Sequence, residues 1–111
     1  MKSSRFFSIV LALVLPVGVF SQNGGFYDFK VKTIDGNEFD LGSLKGKKVM
    51  VVNTASKCGY TPQYKDLEEL YEQYGKKLVI IGFPANNFAN QEPGTALEIK
   101  QFCSENYDIT F

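Results

Sequence analysis

Residues 49–82, VMVVNTASKCGYTPQYKDLEELYEQYGKKLVIIG, decide the fold class of this chain. Val49 to Val52 and Leu78 to Ile81 are short, continuous apolar runs. Runs without alternation mark strands covered on both faces, as in parallel sheets. Between them Tyr64, Leu67, Leu70, Tyr71 and Tyr74 recur at the spacing of one helical face. Thr61 is placed to cap that helix, Pro62 suits its first position, and Gly75 suits its end. The stretch reads strand, loop, helix, strand, a βαβ unit with a right-handed crossover.

Upstream, Phe29 to Leu41 predicts a hairpin. Phe29, Val31 and Thr33 alternate with Lys30 and Lys32, and Asp35-Gly36 is a type I′ turn signal. Gly42 to Lys48 reads as a loop. Downstream, Thr95 with Glu98 forms a capping box, and Ile99, Phe102 and Cys103 share a face of the helix that follows. Ile109-Thr110-Phe111 reads as the start of another strand. The class is α/β.

The first residues read differently. In MKSSRFFSIVLALVLPVGVFSQ, Lys2 and Arg5 make a basic start, and Phe6 to Leu15 is apolar apart from Ser8. Pro16 and Gly18 then break the run, and Val19 and Ser21 are small enough to precede a cleavage point. This predicts a signal peptide over residues 1–21, a domain over residues 22–111, and an exported protein, periplasmic or secreted. A spanning helix needs about 20 apolar residues. The run is shorter, so no stable membrane insertion is expected after cleavage.

Composition narrows the chemistry. The 111 residues carry twelve Lys plus Arg against twelve Asp plus Glu, a formal net charge of zero, so nothing in the charge invites nucleic acid. There is no histidine, which removes Ser-His-Asp and Cys-His pairs and a His-ligated haem. Two cysteines fall short of the usual structural zinc sets, so neither metal nor cofactor is expected. Cysteine, carboxylate, amide and backbone groups remain.

Two loops can use them. Cys58 sits between the first apolar strand and its helix, at the carboxyl end of the strand, where open α/β folds collect their sites. A helix N-terminus with free N–H groups favours a thiolate there, and Lys57 adds charge beside it. The bland alternative is a buried cysteine or half of a structural disulfide, against which the neighbouring Gly59 and the loop position argue. Cys58-Gly59-Tyr60-Thr61 is not C-x-x-C, which disfavours a thioredoxin-type dithiol. The second loop, Gly82 to Gly94, leaves the same sheet edge and carries Asn86, Asn87, Asn90 and Gln91. Its amides either stabilise a thiolate and orient a peroxide oxygen, or cap their own backbone.

Taken together, Val51-Val52-Asn53-Thr54-Ala55-Ser56-Lys57-Cys58-Gly59-Tyr60-Thr61, the run Phe83 to Gly94, and Ile99-Lys100 through Tyr107 to Phe111 resemble the glutathione peroxidase family in its cysteine-containing, non-selenium form. The resemblance covers Phe26 to Phe111 and implies a thioredoxin-like fold. It implies that Cys58 is the peroxidatic residue, standing where some members have selenocysteine, and that its thiolate opens the peroxide O–O bond to become sulfenic acid. Gln91 matches the family's catalytic glutamine, with Asn53, Gly59 and Asn86 as supporting loop residues. Asn87 departs from the usual glutamine and Ala85 from the usual cysteine. Cys103 has two readings: the resemblance suggests a resolving cysteine, whereas its helical face suggests a core position. The implied partners are a hydroperoxide and a glutathione or thioredoxin-like reductant, in a response to oxidative stress.

Family members continue with further strands, a helix and a Trp-Asn pair that completes the site, and this sequence contains no Trp. The expectation is a chain truncated at its C-terminus, with Val49 to Val52 left as an exposed apolar edge prone to association. The rival expectations are an exported thioredoxin-like thiol-disulfide reductase and an inactive fragment.

Overall fold

The two apolar runs pair with each other, and the pairing is longer than either run. In the computed structural model, which describes residues 24–111, β3 (Lys48–Thr54) lies parallel to β4 (Leu78–Pro84), in register from Lys48 opposite Leu78 to Thr54 opposite Pro84. The helix α1 (Gln63–Tyr74) connects them, and α2 (Ala96–Tyr107) follows β4. Two short strands, β1 (Lys30–Lys32) and β2 (Glu38–Asp40), form a separate antiparallel hairpin. The expected signal segment, residues 1–21, lies outside the described residues. Because β3 and β4 end side by side, the loops after them leave one edge of the sheet together. No helix among the described residues is long and apolar enough to cross a membrane.

Four local expectations are corrected. The apolar runs predicted strands covered on both faces, yet Val51 is 50% exposed and only Ile80, at 4%, is buried. Among the described residues the sheet has two strands, so both are edges, and an edge strand is not enclosed as an inner one is.

The hairpin turn is the second correction. A type I′ turn at Asp35-Gly36 needs positive φ at both residues. Only Gly36 has it, at 83°, while Gly36 N–H donates to Thr33 O at 2.9 Å and Thr33 N–H donates to Asn37 O at 2.8 Å. Ile34 and Asp35 therefore occupy the centre of the turn, and Gly36 takes the left-handed position that follows.

Third, Thr61 does not cap α1. Pro62 precedes the helix with helical dihedrals, and no side chain caps its start. The Thr61 hydroxyl is engaged in the loop before it, as described below. Fourth, residues 109–111 form no strand. They are held to α1 instead: Glu68, only 5% exposed, accepts from Thr110 N–H at 2.8 Å and from the Thr110 hydroxyl.

Elsewhere the reading holds and gains detail. The loop after the hairpin contains a 3-10 turn, Leu41–Leu44, whose Gly42 N–H donates to Asp40 Oδ1 at 2.8 Å and whose Leu41 and Leu44 are buried. The capping box of α2 is formed: Thr95 Oγ1 accepts from Glu98 N–H at 3.3 Å and Glu98 Oε2 accepts from Thr95 N–H at 2.7 Å. The faces of α1 and α2 meet through Tyr64, Phe102 and Tyr107, with ring centroids 5.4–6.5 Å apart. Lys100 on α2 pairs with Asp35 of the hairpin turn at 2.6 Å.

The Glu68 clamp yields a stability prediction. Hydrogen bonds to a charged group contribute about 1.5–3 kcal/mol each when buried, and Thr110 is itself exposed. Glu68→Ala is expected to lower the unfolding free energy by about 2 kcal/mol in urea titration. A loss below about 0.5 kcal/mol, the scale of a surface substitution, would show that the clamp is incidental.

Candidate active site

Cys58 occupies a tight loop between β3 and α1, and Thr61 ties it. Cys58 N–H donates to Thr61 Oγ1 at 2.9 Å, the Thr61 hydroxyl donates to Ala55 O at 2.8 Å, and Thr61 N–H returns to Cys58 O at 3.1 Å. One hydroxyl thus holds both ends of the loop. The sulfur receives a backbone donor of its own, Tyr60 N–H at 3.4 Å. A backbone N–H aimed at sulfur favours negative charge there, since it needs no reorganisation as charge develops.

The second loop is folded against the first. Lys57 N–H donates to Gln91 O at 2.9 Å, joining the two loops one residue from Cys58. Ala89 and Asn90 have left-handed backbones, φ 52° and 53°, and turn the chain back so that Gln91 reaches the Cys58 loop. Asn86 Oδ1 accepts from Glu92 N–H at 3.0 Å. Of the two readings for the loop amides, Asn86 takes the second: its side chain braces its own loop.

Between the loops lies a cavity of about 370 Å³. Cys58, Gln91, Asn53, Thr61, Tyr60 and Phe88 line it, so the expected pair Cys58 and Gln91 share one space with Asn53. Tyr60 and Phe88, 75% and 60% exposed, stand beside it as apolar walls open to solvent. Gly59 and Asn86 do not line it. Nothing lies within 4 Å of where a Cβ on Gly59 would stand, so crowding does not require a glycine there.

Cys103 is placed apart. It is half-buried on α2 and faces a different groove, which it shares with Tyr64 and Thr54. Burial pushes its thiol above the ordinary value of 9.0, the Tyr64 hydroxyl opposes this, and the negative charge of Glu92 adds to it. Burial also holds the Tyr64 hydroxyl protonated well above its usual value of 10.0. Both cysteines are free thiols. Tyr64 lines the cavity of Cys58 as well as the groove of Cys103.

Three residues of this region escaped the sequence reading. Sequence position suits Thr61 to a helix cap, and its hydroxyl serves the loop instead. Tyr64 was legible only as part of an apolar stripe. Glu92, 5% exposed, carried no signal at all, since glutamate in a polar loop reads as solvated. Among the described residues no group of three or more His, Cys, Asp or Glu side chains is placed to hold a metal.

A solitary thiol at the carboxyl ends of parallel strands, ahead of a helix and facing an amide loop, defines a thioredoxin-like α/β protein whose site is built around one sulfur. Comparisons with known proteins agree. The apo form of Trgpx, a solved crystal structure, superposes with a TM-score of 0.51 at 52% identity, over 59% of this chain and 46% of that one. The family model for glutathione peroxidase matches residues 26–111. Two similar relatives are a glutathione peroxidase-like peroxiredoxin of Schizosaccharomyces pombe, 60% identical over 87 residues, and one of Saccharomyces cerevisiae, 55% identical over 87 residues. These alignments cover 78% of this chain and 55% and 54% of the relatives. A glutathione peroxidase of Lactococcus lactis is 53% identical over 87 residues, 78% of this chain and 55% of that protein. The chain belongs to the glutathione peroxidase family and spans about half the length of the curated relatives it matches.

Proposed function

We propose that the Cys58 cavity reduces hydroperoxides. The Cys58 thiolate attacks the nearer oxygen of the O–O bond, which breaks; sulfur is oxidised to sulfenic acid, and the second oxygen leaves as alkoxide or hydroxide and takes up a proton. The observation that carries this reading is the meeting of Cys58 and Gln91 at one cavity, with Tyr60 N–H already donating to the sulfur. Gln91 then orients the peroxide oxygen or stabilises charge on the sulfur. In the second half-reaction the Cys103 thiol attacks the sulfenic sulfur, giving a Cys58–Cys103 disulfide and water. A thioredoxin-like dithiol reduces that disulfide by exchange, and glutathione is the competing donor. The work belongs to defence against oxidative stress. The basic start and apolar run within residues 1–21 support its taking place outside the cytoplasm.

Peroxide consumption by the full chain, with a thioredoxin-like dithiol or with glutathione as donor, tests the activity and ranks the donors. Non-reducing peptide mapping tests the route. Peroxide is expected to produce one intramolecular disulfide, and Cys103→Ser is expected to accumulate sulfenic and sulfinic acid on Cys58 instead. A Cys103 that stays a free thiol through turnover would leave resolution to an external thiol.

A further inference from the structure

The two most exposed aromatic side chains among the described residues stand at one cavity, that of Cys58. Tyr60 is 75% and Phe88 60% exposed, and both line it. They come from different loops, Tyr60 from the one before α1 and Phe88 from the one after β4. Neither ring adds much to the core, because the stabilisation from an apolar side chain scales with the area it removes from water. The backbones of these residues carry the local structure instead: Tyr60 N–H donates to Cys58 Sγ at 3.4 Å, and Phe88 O accepts from Gln91 N–H at 3.2 Å. Single exposed apolar residues are ordinary on a protein surface, whereas a cluster beside a nucleophile marks a ligand groove.

The size and charge of the cavity say what that ligand is. At about 370 Å³ it is far larger than hydrogen peroxide needs, since a water takes only about 30 Å³ of the liquid. Among the described residues no Asp, Glu, Lys or Arg lines it. Its polar lining is neutral, including the amides of Asn53 and Gln91 and the hydroxyl of Thr61, while Leu67 and Ala85 extend the apolar surface of the two rings. A charged group entering it would lose water without gaining a partner charge. An apolar group would leave water and cover the rings, both favourable. Apolar walls with a few neutral polar groups are the make-up of a site for an organic ligand.

We propose that Tyr60 and Phe88 set substrate choice at Cys58, gripping the apolar carbon group of an organic hydroperoxide while its O–O end faces the sulfur. The thiolate takes the terminal oxygen: the S–O bond forms as the O–O bond breaks, and the departing alkoxide takes a proton from solvent to become the alcohol. Sulfur is oxidised and the hydroperoxide is reduced, with no further reactant. The assignment rests on peroxide reduction at Cys58 and adds the class of peroxide preferred there.

Second-order rate constants for oxidation of Cys58 in the reduced full chain test it, read by quenching with an alkylating agent and quantifying the Cys58 peptide. The probes are straight-chain alkyl hydroperoxides from ethyl to hexyl, which share one reacting group. In the parent the hexyl compound is expected to react about tenfold faster than the ethyl one, roughly twofold per methylene, less than full burial gives because the walls are open to solvent. Phe88→Ser is expected to remove most of that ratio, and Phe88→Leu, which keeps an apolar wall, to retain most of it. Tyr60→Ser keeps the N–H at the sulfur and should lower the ratio as Phe88→Ser does. The ratio cancels any change in the thiolate common to both probes, and the parent series decides the matter if the variants do not fold. Parent rates independent of chain length, or a ratio unmoved by both serine variants, overturn the role of Tyr60 and Phe88 and leave peroxide reduction standing. Serine variants that slow only re-reduction by a thioredoxin-like dithiol would give the rings to the reductant and overturn it equally. A parent whose Cys58 is oxidised by none of the probes nor by hydrogen peroxide overturns the reading of the site and this assignment with it.

Discussion

Cys58→Ser is expected to reduce peroxide turnover to the uncatalysed background. A serine hydroxyl is not ionised near neutral pH and has no sulfur to oxidise, so the step that opens the O–O bond has no nucleophile. Removing the nucleophile of a covalent enzyme costs on the order of 10⁶-fold in rate. The fold should not notice. The bonds that shape the loop, from Cys58 N–H to Thr61 and from Thr61 N–H to Cys58 O, use the backbone of residue 58, and only the Tyr60 N–H contact uses its sulfur. Melting temperature near the parent value with no peroxide consumption is the expected pair of results. Residual turnover carried by Cys103 would contradict it.

Gln91→Ala carries the second largest effect. A preorganised donor aimed at developing charge contributes about 10²–10³-fold, roughly 3–4 kcal/mol. Gln91 lines the Cys58 cavity, while its carbonyl accepts from Lys57 N–H and its N–H donates to Phe88 O. Alanine keeps both backbone bonds and the loop they hold. Sulfenic acid formation on Cys58 should slow by the stated factor with little change in melting temperature. Reaction at the parent rate would reduce Gln91 to a loop residue whose backbone alone matters.

Much of this was legible because it is local. Strand, helix and strand over residues 48–84 follow from two apolar runs and one helical stripe, and the α2 capping box from Thr95 and Glu98. The meeting of the Cys58 loop with the loop after β4 was legible because loops after parallel strands converge, whereas Gln91 was singled out only by the family resemblance. What failed depended on choices between equivalent chemistries. Asp35-Gly36 suits two hairpin geometries, and only the backbone angles distinguish them. Thr61 is as good a loop clamp as a helix cap, because the same hydroxyl serves either. Burial of acidic residues was the least legible feature. Glu68 is buried where Thr110, 42 residues away, supplies its donors, and Glu92 is buried in the loop after β4, where Asn86 holds its N–H. Both burials are tertiary facts with no local signature.

The central claim is that peroxide reacts first at Cys58, and the most direct test is to find where the oxygen lands. The reduced full chain would receive less than one equivalent of hydrogen peroxide in the presence of dimedone, and both cysteine peptides would be quantified at early times. The account predicts the adduct on Cys58, with Cys103 unlabelled at those times. Labelling that begins on Cys103, or that divides equally between the two thiols, would contradict it.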